Sequence, residues 1–300
     1  MIAITAPKPT TRFELSTGVS IAADTYGDPA NQTVLFLHGG GQTRHAWGGA
    51  AESLARLGFY TICTDHRGHG DSGWSSEGGY KLDDFARDLL ALREHLDEPP
   101  IIVGASLGGI SALRAEAISE APISKGLVLV DTTPRMKAEG VTRIINWMLD
   151  GLDGFASLEE AADAIAEYLP HRKRRTDLTG LAKNLRLGDD GRYRWHWDPN
   201  MIRSWNPKHW SDDRASQAEI QSRLDGAAEL TIPVLLVRGR MSDVVSEENA
   251  REFLEYVPHA EYVDLKDAAH MVAGDRNDAF TESVADFILR HFAPERENTS

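Results

Sequence analysis

Short apolar runs alternate with amphipathic stretches over the first third of the chain, and no other feature of the sequence restricts the fold as strongly. The apolar runs are rich in Val, Ile and Leu, as expected for parallel strands that are covered on both faces. Candidate strands are residues 20–23, 33–37, 60–64, 100–104 and 127–130. The pattern predicts an α/β fold with a mostly parallel twisted sheet and helices on both of its faces.

The stretches between these runs have helical periodicity. Candidate helices are residues 46–57, 82–96 and 107–118. In the second of them, Leu82, Phe85, Leu89, Leu92 and Leu96 recur at spacings of three and four residues, which forms a single apolar stripe. Each such helix can cross over one face of the sheet between two parallel strands.

The pattern changes in the middle of the chain. Residues 134–228 contain several helical segments and no convincing strand, and Ser157 with Glu160 has the spacing of a capping box. Alternation resumes with candidate strands at 233–237 and 261–265 and a final helix at 278–292. The sequence therefore predicts one core domain, made of residues 1–133 and 229–300, with a helical cap inserted at 134–228.

Composition excludes several classes of partner. Lys and Arg total 32 and Asp and Glu total 46, which gives a formal charge of −14. Such a surface repels phosphate backbones and anionic lipid, so neither nucleic acid nor a membrane is an expected partner. The one cysteine, Cys63, cannot form an internal disulfide, and the N-terminal residues show no secretion signal, so we expect a cytoplasmic protein. The oligomeric state stays open, with a homodimer among the options.

A G-x-S-x-G motif stands where a candidate strand runs directly into a candidate helix. The motif is residues 104–108, with Ser106 at its centre. A serine on such a sharp turn exposes its hydroxyl, and the helix beneath it offers free N–H groups to an oxyanion. A Cβ at Gly104 or Gly108 would collide with neighbouring backbone. The bare pattern is weak, and its strand–turn–helix setting is what favours a nucleophile.

A second candidate element is the glycine-rich turn that follows the strand 33–37. The sequence there reads His-Gly-Gly-Gly-Gln, from His38 to Gln42. Small residues let the backbone approach a substrate carbonyl and donate an N–H to it. The alternative is a strand-to-helix turn with no special purpose.

Together these elements resemble the α/β-hydrolase superfamily, in particular its cap-bearing esterases and lactonases with a serine nucleophile. The matching segments are residues 38–41, 104–108 and the loop 65–72, which reads Asp-His-Arg-Gly-His-Gly-Asp-Ser. The resemblance covers residues 12–132 and 232–292. It implies a hydrolase that needs neither cofactor nor metal, with its helical cap in the middle of the chain.

The resemblance also implies a triad in the order Ser, Asp, His. His270, beyond the last candidate strand, matches the family's base, and Asp243, in the loop after the strand 233–237, matches its acid. Asp131 is a rival acid, because some relatives carry theirs after the equivalent of the strand 127–130. Its alternative role is to cap the turn into the insertion.

These roles define the expected chemistry. His270 would take the proton of Ser106 as the serine attacks a carbonyl carbon, and the N–H groups of Gly40 and Leu107 would hold the oxyanion. An acyl-enzyme would then be hydrolysed, and activity should fall in acid as the imidazole is protonated. We expect cleavage of a small or medium carboxylic ester, lactone or thioester. Two alternatives are hydrolysis of a carbon–carbon bond in a vinylogous diketone and a ligand receptor without turnover.

The residues that would contact the substrate are less well defined. Candidates come from the segment after the oxyanion turn, from the cap and from the residue after the base: Gln42, His45, Trp47, Trp147 and Met271. The locally basic stretch 171–194 could steer anionic substrates toward the cap or simply form a solvated surface.

Overall fold

The computed structural model of the chain describes residues 7–75, 78–169, 174, 176–205, 213–266, 268–270 and 280–293. Its strands are β1 (Thr11–Glu14), β2 (Ser20–Tyr26), β3 (Thr33–Leu37), β4 (Tyr60–Thr64), β5 (Ile101–Ala105), β6 (Gly126–Val130), β7 (Leu185–Leu187), β8 (Tyr193–Trp195), β9 (Val234–Gly239) and β10 (Glu261–Leu265). Its α-helices are α1 (Gly48–Arg56), α2 (Leu82–Arg93), α3 (Leu107–Ile118), α4 (Ala138–Asp150), α5 (Leu158–Tyr168), α6 (Thr179–Ala182), α7 (Pro199–Ser204), α8 (Asp213–Ala228), α9 (Glu247–Tyr256) and α10 (Thr281–Phe292).

Within the described residues, eight strands form one sheet in the order β1-β2-β4-β3-β5-β6-β9-β10. β2 pairs antiparallel with β1 and β4, and every other pair is parallel. The predicted fold class, a mostly parallel sheet with helices on both faces, is confirmed. In parallel strands the carboxyl ends lie along one edge of the sheet, so the loops after β3, β5, β6, β9 and β10 meet there.

Both faces of the sheet are buried, which explains the unbroken apolar runs. In β3, Leu35 and Leu37 join the apolar cluster on one face, while Val34 and Phe36 join the cluster on the other. Successive side chains of a strand point to opposite faces, so a strand that is covered twice needs apolar residues at every position. These strands form a rigid base for the loops at their carboxyl ends.

One strand was not predicted, and one expectation about strands was wrong. β1 was missed because it is a four-residue edge strand whose side chains alternate between half-buried and exposed. The middle of the chain, where no strand was expected, contains the antiparallel pair β7–β8. Each strand of this hairpin has only three residues, too few for periodicity to be recognised, and the connecting turn uses Gly191 at a φ of 77°.

The segment between β6 and β9 divides between the cap and the core. β7 and β8 form a separate sheet, and α4 contributes Met148 to an apolar cluster with residues of α5 to α7. α8 instead packs on α3: Ala227 belongs to the core cluster, and a Cβ on Gly226 would lie 2.5 Å from Cβ of Ala117. α8 thus packs on the core helix α3 although it lies within the segment 134–228, and the bounds predicted for the cap stay a prediction.

Hydrogen bonds hold the cap against the loop that follows β4. The Gly70 N–H donates to the His196 carbonyl over 2.7 Å, and the Asp198 N–H donates to the Gly68 carbonyl over 2.7 Å. The Tyr80 hydroxyl donates to Oδ2 of Asp198 over 2.6 Å. These bonds fix the position of the cap above the carboxyl edge of the sheet. Among the helices that the structure describes, none has the length and apolar character needed to traverse a bilayer.

Candidate active site

Ser106 occupies a strained turn between β5 and α3. Its φ of 46° and ψ of −113° lie in a region that non-glycine residues rarely adopt. The Ser106 N–H donates to the Val130 carbonyl over 3.0 Å, and the Ser106 carbonyl accepts from the Ile110 N–H over 3.0 Å. The backbone is thus tied to β6 on one side and to α3 on the other. The strand–turn–helix setting expected for residues 104–108 is present.

The glycines on either side of Ser106 have no room for a side chain. A Cβ on Gly104 would lie 2.5 Å from the Gly109 nitrogen, and a Cβ on Gly108 would lie 2.6 Å from the Leu37 carbonyl oxygen. Both contacts are with backbone, which cannot move aside without disturbing the sheet. The collision expected from the sequence is confirmed, and it accounts for glycine at both positions.

The glycine-rich turn after β3 lies directly against the serine turn. A Cβ on Gly39 would lie 3.4 Å from the Ser106 Cβ, and one on Gly40 would lie 4.0 Å from the Leu107 Cβ. Within the described residues, neither the Gly40 N–H nor the Leu107 N–H has a hydrogen-bond acceptor. The two expected oxyanion donors are therefore close together and unengaged.

His38 determines which way the Gly39–Gly40 peptide faces. The Gly39 carbonyl oxygen lies 2.7 Å from Nδ1 of His38 and also accepts from the Gln42 N–H over 3.0 Å. The His38 Nε2 accepts the His66 N–H, so the proton of this ring is on Nδ1. In a trans peptide the C=O and the next N–H point in opposite directions, so fixing this carbonyl directs the Gly40 N–H away from His38.

Two further histidines complete the support of this turn. His69 accepts the Gly41 N–H at Nε2 over 3.1 Å, and its Nδ1 lies 3.0 Å from the Arg67 carbonyl. His66 directs Nε2 to the His38 carbonyl over 3.0 Å. Burial lowers the pKa of His66 to about 4 and that of His69 to about 3, and it holds the pKa of His38 well below its usual range. All three rings are neutral near pH 7.

These imidazoles serve the backbone and do not form a metal site. Across the described residues, no group of three or more His, Cys, Asp and Glu side chains is arranged to hold a metal ion. Beneath the turn, Arg44 binds Asp65 over 2.6 Å and Asp71 over 2.8 Å. The loop 65–72 is thus a buried polar support for the glycine-rich turn.

The acid that contacts the candidate base is Asp131. Its Oδ2 lies 2.6 Å from Nδ1 of His270, and both side chains are buried. The same oxygen accepts from the Ser242 hydroxyl over 2.7 Å, and Oδ1 accepts from the Gly239 N–H over 3.1 Å. A carboxylate accepts hydrogen bonds only, so the His270 proton resides on Nδ1 and Nε2 presents a lone pair.

The prediction that Asp243 partners His270 is wrong. The Asp243 carboxylate is about one-third exposed and pairs with Nη2 of Arg143 in α4 over 2.8 Å. Its carbonyl meets the same helix, because a Cβ on Gly140 would lie 2.2 Å from that oxygen. Asp131 takes the inner position because its φ of 50° turns the chain sharply where β6 ends. The rival assignment, Asp131, is the one that the geometry supports.

Ser106 directly follows β5, and Asp131 directly follows β6. These two strands are neighbours in the sheet, and their last residues, Ala105 and Val130, are paired. In the described residues, the Ser106 hydroxyl has no hydrogen-bond partner, and His270 is bonded through Nδ1 alone. Oγ of Ser106 and Nε2 of His270 have no partner in the part of the chain that the structure describes but are not fully buried, so both reach open space. A nucleophile–base contact often shortens only when substrate binds.

A cavity of about 90 Å³ borders His270. It lies on the β9–β10 side of the ring, and its wall combines loop residues with the cap: Arg143, Tyr168, Leu169, Met241, Asp243, Ala269 and His270. On the other side of the edge, Trp205 of the cap covers the oxyanion turn, with Cζ3 3.5 Å from a Cβ placed on Gly40. Cap residues therefore border the candidate site on both sides.

Three of the expected substrate-contact residues do not line the cavity beside His270 and instead support the glycine-rich turn or the core. Gln42 is buried and accepts the Gly39 N–H over 2.9 Å, so it braces the turn. Trp47 is buried in the core, with Nε1 donating to the Leu37 carbonyl over 3.1 Å. His45 faces Asp24 over 3.5 Å beneath the turn. Gln42 is the last residue of the glycine-rich turn, whereas His45 and Trp47 lie in the 3₁₀ helix from Arg44 to Trp47, which directs the chain back into the protein.

The remaining two candidates have different outcomes. Trp147 packs against Tyr168 of the cavity wall, with ring centroids 5.1 Å apart, and against Trp195 at 5.6 Å. Met271 lies outside the described residues.

In the basic stretch 171–194, residues 171–173 and 175 also lie outside the described residues. The other arginines of this stretch bind carboxylates or carbonyls of the chain: Arg174 with Asp163, Arg186 with Asp71, Arg192 with the Asp153 carbonyl and Arg194 with Asp190. These contacts favour the interpretation of a solvated cap surface.

Ser242 is a site residue that the sequence analysis missed. Its hydroxyl donates to Asp131 and accepts from the N–H groups of Val244 and Val245, both over 3.1 Å. A serine that opens a loop and accepts N–H groups two and three residues later is a common local motif, and this was the available signal. Ser242 thereby joins the loop after β9 to the acid that follows β6.

Comparison with known proteins agrees with this architecture. A family model described as alpha/beta hydrolase fold matches residues 32–276. The chain is 29% identical to the esterase Rv0045c of Mycobacterium tuberculosis, over 88% of this chain and 85% of that protein. It is 26% identical to a 3-hydroxybutyrate-oligomer hydrolase of Cupriavidus necator, over 82% of this chain and 85% of the other. A solved α/β hydrolase from Novosphingobium aromaticivorans superposes with a TM-score of 0.75 at 24% identity, covering 95% and 99% of the two chains.

Proposed function

The chain belongs to the α/β-hydrolase fold family, and from this premise we propose that it is a serine hydrolase of small or medium carboxylic esters, lactones or thioesters. The observation that carries the proposal is the strained Ser106 turn beside the hydrogen-bonded pair of His270 and Asp131. The backbone at Ser106 is strained, and its hydroxyl reaches solvent. Tight contacts that leave no space for a side chain at positions 104 and 108 maintain this strained turn. Ester cleavage also agrees with the activities named for the Mycobacterium and Cupriavidus relatives.

The proposed reaction begins with attack of the Ser106 oxygen on the carbonyl carbon of the substrate. Nε2 of His270 takes the serine proton, while Asp131 holds Nδ1–H and stabilises the imidazolium. The N–H groups of Gly40 and Leu107 donate to the oxyanion, and each such donor is worth roughly 3–4 kcal/mol in the transition state. His270 then protonates the leaving group, and water attacks the acyl group on Ser106 by the same route.

The setting of the enzyme is part of the proposal. The single buried Cys63 and the formal charge of −14 support a cytoplasmic protein that binds a small molecule rather than nucleic acid or anionic lipid. The cap covers the sheet edge from α4 to α7, which suits a substrate enclosed between the two layers. We propose that the cap residues that line the cavity beside His270 select the substrate.

The proposal is tested by Ser106→Ala in the full chain. We expect turnover of p-nitrophenyl butyrate to fall by at least about a thousandfold and labelling by a fluorophosphonate to be lost, because the nucleophile is missing. Ser119→Ala is the matched control, since it removes the same hydroxyl at the far end of α3, where it contacts the Ala121 carbonyl. Retention of most activity in Ser106→Ala would remove Ser106 as the nucleophile.

The same assay separates the alternatives. Rapid turnover of a vinylogous diketone with poor turnover of esters would indicate a carbon–carbon bond hydrolase. Tight binding of ester ligands without multiple turnovers would indicate a receptor. Burst kinetics followed by steady turnover of esters is the result expected for the acyl-enzyme route.

A further inference from the structure

The cavity beside His270 is lined by an arginine side chain that the proposed mechanism does not use. Arg143 of α4 lines this cavity together with Tyr168 and the apolar side chains of Leu169 and Met241. Its side chain is half exposed, and its guanidinium carbon lies 4.9 Å from the centre of the Tyr168 ring. The cavity thus places a positive group beside the base, in a wall that is otherwise partly apolar.

The guanidinium is held in place but retains capacity to donate. Nη2 pairs with Asp243 over 2.8 Å, and Nε points to the Tyr168 hydroxyl over 3.5 Å. In the described part of the chain, Nη1 has no acceptor. Arginine carries five N–H donors in a planar fork that suits a carboxylate, so one bound carboxylate does not exhaust it.

The topology indicates which end of a substrate would meet Arg143. The oxyanion donors Gly40 and Leu107 follow β3 and β5, whereas the cavity residues Met241, Asp243 and Ala269 follow β9 and β10. β6 lies between these two pairs of strands. Because His270 must protonate the departing atom, the space beyond His270 and away from the oxyanion donors belongs to the leaving group.

We propose that Arg143 binds an anionic group, a carboxylate in the simplest case, on the leaving-group portion of the substrate. The preferred substrates are then esters whose alcohol, phenol or thiol part carries a negative charge. This inference rests on the proposed ester hydrolysis and adds a substrate class to it. Asp243 orients the guanidinium and, as a like charge, opposes the ligand, which limits affinity for the released product.

The test compares two acetate esters that differ only in charge on the leaving group, 4-acetoxybenzoate and 4-acetoxybenzamide. The measured quantity is the ratio of their kcat/KM values, each divided by the rate of uncatalysed hydrolysis. We expect the wild type to favour the anionic ester about tenfold, and Arg143→Gln to abolish this preference. Asp243→Asn should increase the preference, because it removes the opposing charge and keeps the volume.

Two controls locate the effect. Arg87→Gln removes a positive charge from the exposed face of α2, where the nearest carboxylates are 4.0 Å away, and it should leave the ratio at the wild-type value. A second substrate pair, p-nitrophenyl hemisuccinate and p-nitrophenyl pentanoate, carries the charge on the acyl side instead. Arg143→Gln should alter the first pair and not the second.

A ratio that Arg143→Gln leaves unchanged, or a change confined to the acyl-side pair, would overturn the proposal. Failure of the proposed function is recognised separately, because then neither ester of a pair is turned over. In that event, calorimetric titration of wild type and Arg143→Gln with 4-hydroxybenzoate and 4-hydroxybenzamide still tests the site. Equal binding of the two compounds by the wild type would contradict it.

Discussion

Two loops at the carboxyl edge of the sheet each present an aspartate, and they use it in opposite ways. Asp131 follows β6 directly and is buried, with Oδ2 2.6 Å from His270. Asp243 lies four residues beyond β9, about one-third exposed, and pairs with Arg143 of the cap. Three hydrogen-bond donors of the core fix the carboxylate of Asp131, whereas the carboxylate of Asp243 links a core loop to the cap at the surface.

The difference shows that backbone direction, and not position in the fold, selects the acid. Both loops leave adjacent parallel strands at the same edge, so either could deliver a carboxylate to His270. The positive φ of Asp131 bends its side chain to where the Gly239 N–H and the Ser242 hydroxyl also point. Asp243 comes one residue after Ser242, and its backbone contacts α4 instead.

The largest expected effect comes from removing the inner carboxylate. Asp131→Asn should lower kcat for p-nitrophenyl butyrate by about 10³- to 10⁴-fold, because an amide no longer fixes the tautomer or stabilises the imidazolium. Asp243→Asn, the matched change in the other loop, should lower it less than about tenfold. Steady-state kinetics on the two variants decide the assignment, and a larger loss in Asp243→Asn would reverse it.

The buried histidines that support the glycine-rich turn should also make the stability of the fold sensitive to acid. The pKa of His66 is lowered to about 4 and that of His69 to about 3, both from an ordinary value of 6.5. At a pH between these lowered pKa values and 6.5, the unfolded chain binds more protons than the folded chain. The free energy of unfolding therefore falls as pH drops from about 6.5 toward 4. Each ring contributes on the order of 3 kcal/mol to this loss. Urea unfolding at pH 7.5, 6 and 5 measures this loss as far as pH 5, where each ring contributes about 2 kcal/mol.

Single variants identify the responsible rings. His69→Gln keeps an acceptor for the Gly41 N–H but cannot titrate, so the dependence of stability on pH should become shallower. His259→Gln removes an exposed ring that contacts the Ile232 carbonyl, and it should leave the pH dependence unaltered. Equal pH profiles for His69→Gln and the wild type would show that the destabilisation in acid arises elsewhere.

Sequence reasoning was sufficient for features set by local pattern. The bounds predicted for β3, β4, α3 and β10 coincide with those of the structure, since a doubly covered strand or a continuous helix leaves a clear period. The close packing around Gly104 and Gly108 followed from the spacing of the motif. In each case the relevant interaction lies within one element or between neighbours in the chain.

The same reasoning failed where the decisive contact is long range. The choice between Asp131 and Asp243 depends on a φ value and on donors more than a hundred residues away in sequence, which no local pattern encodes. Gln42 and Trp47 were expected to line the pocket because they follow the oxyanion turn. Gln42 instead accepts the Gly39 N–H, and Trp47 is buried because it lies in the 3₁₀ helix 44–47 and packs on Phe36, which are contacts that no local pattern encodes.

A smaller effect should come from the serine that links the two loops. Ser242→Ala removes the hydroxyl that donates to Asp131, so the carboxylate loses one of three donors and kcat should fall about ten- to thirtyfold. Ser246→Ala, four residues on, removes a helix cap of α9 and should cost about 1 kcal/mol of stability with kcat maintained. If Ser242→Ala lowered only stability, the link to Asp131 would be structural rather than catalytic.

The smallest expected effect is on stability at the outer aspartate. The Asp243–Arg143 pair is partly exposed at both ends, and such pairs contribute about 0–1 kcal/mol because water screens the charges and the side chains must be ordered. A double-mutant cycle with Asp243→Asn and Arg143→Gln, measured by urea unfolding, should give a coupling energy below about 1 kcal/mol that shrinks further in about 0.5 M salt. A coupling of several kcal/mol would mean that the loop after β9, like the loop after β6, is held by its carboxylate. Burial would then no longer explain the difference between Asp131 and Asp243.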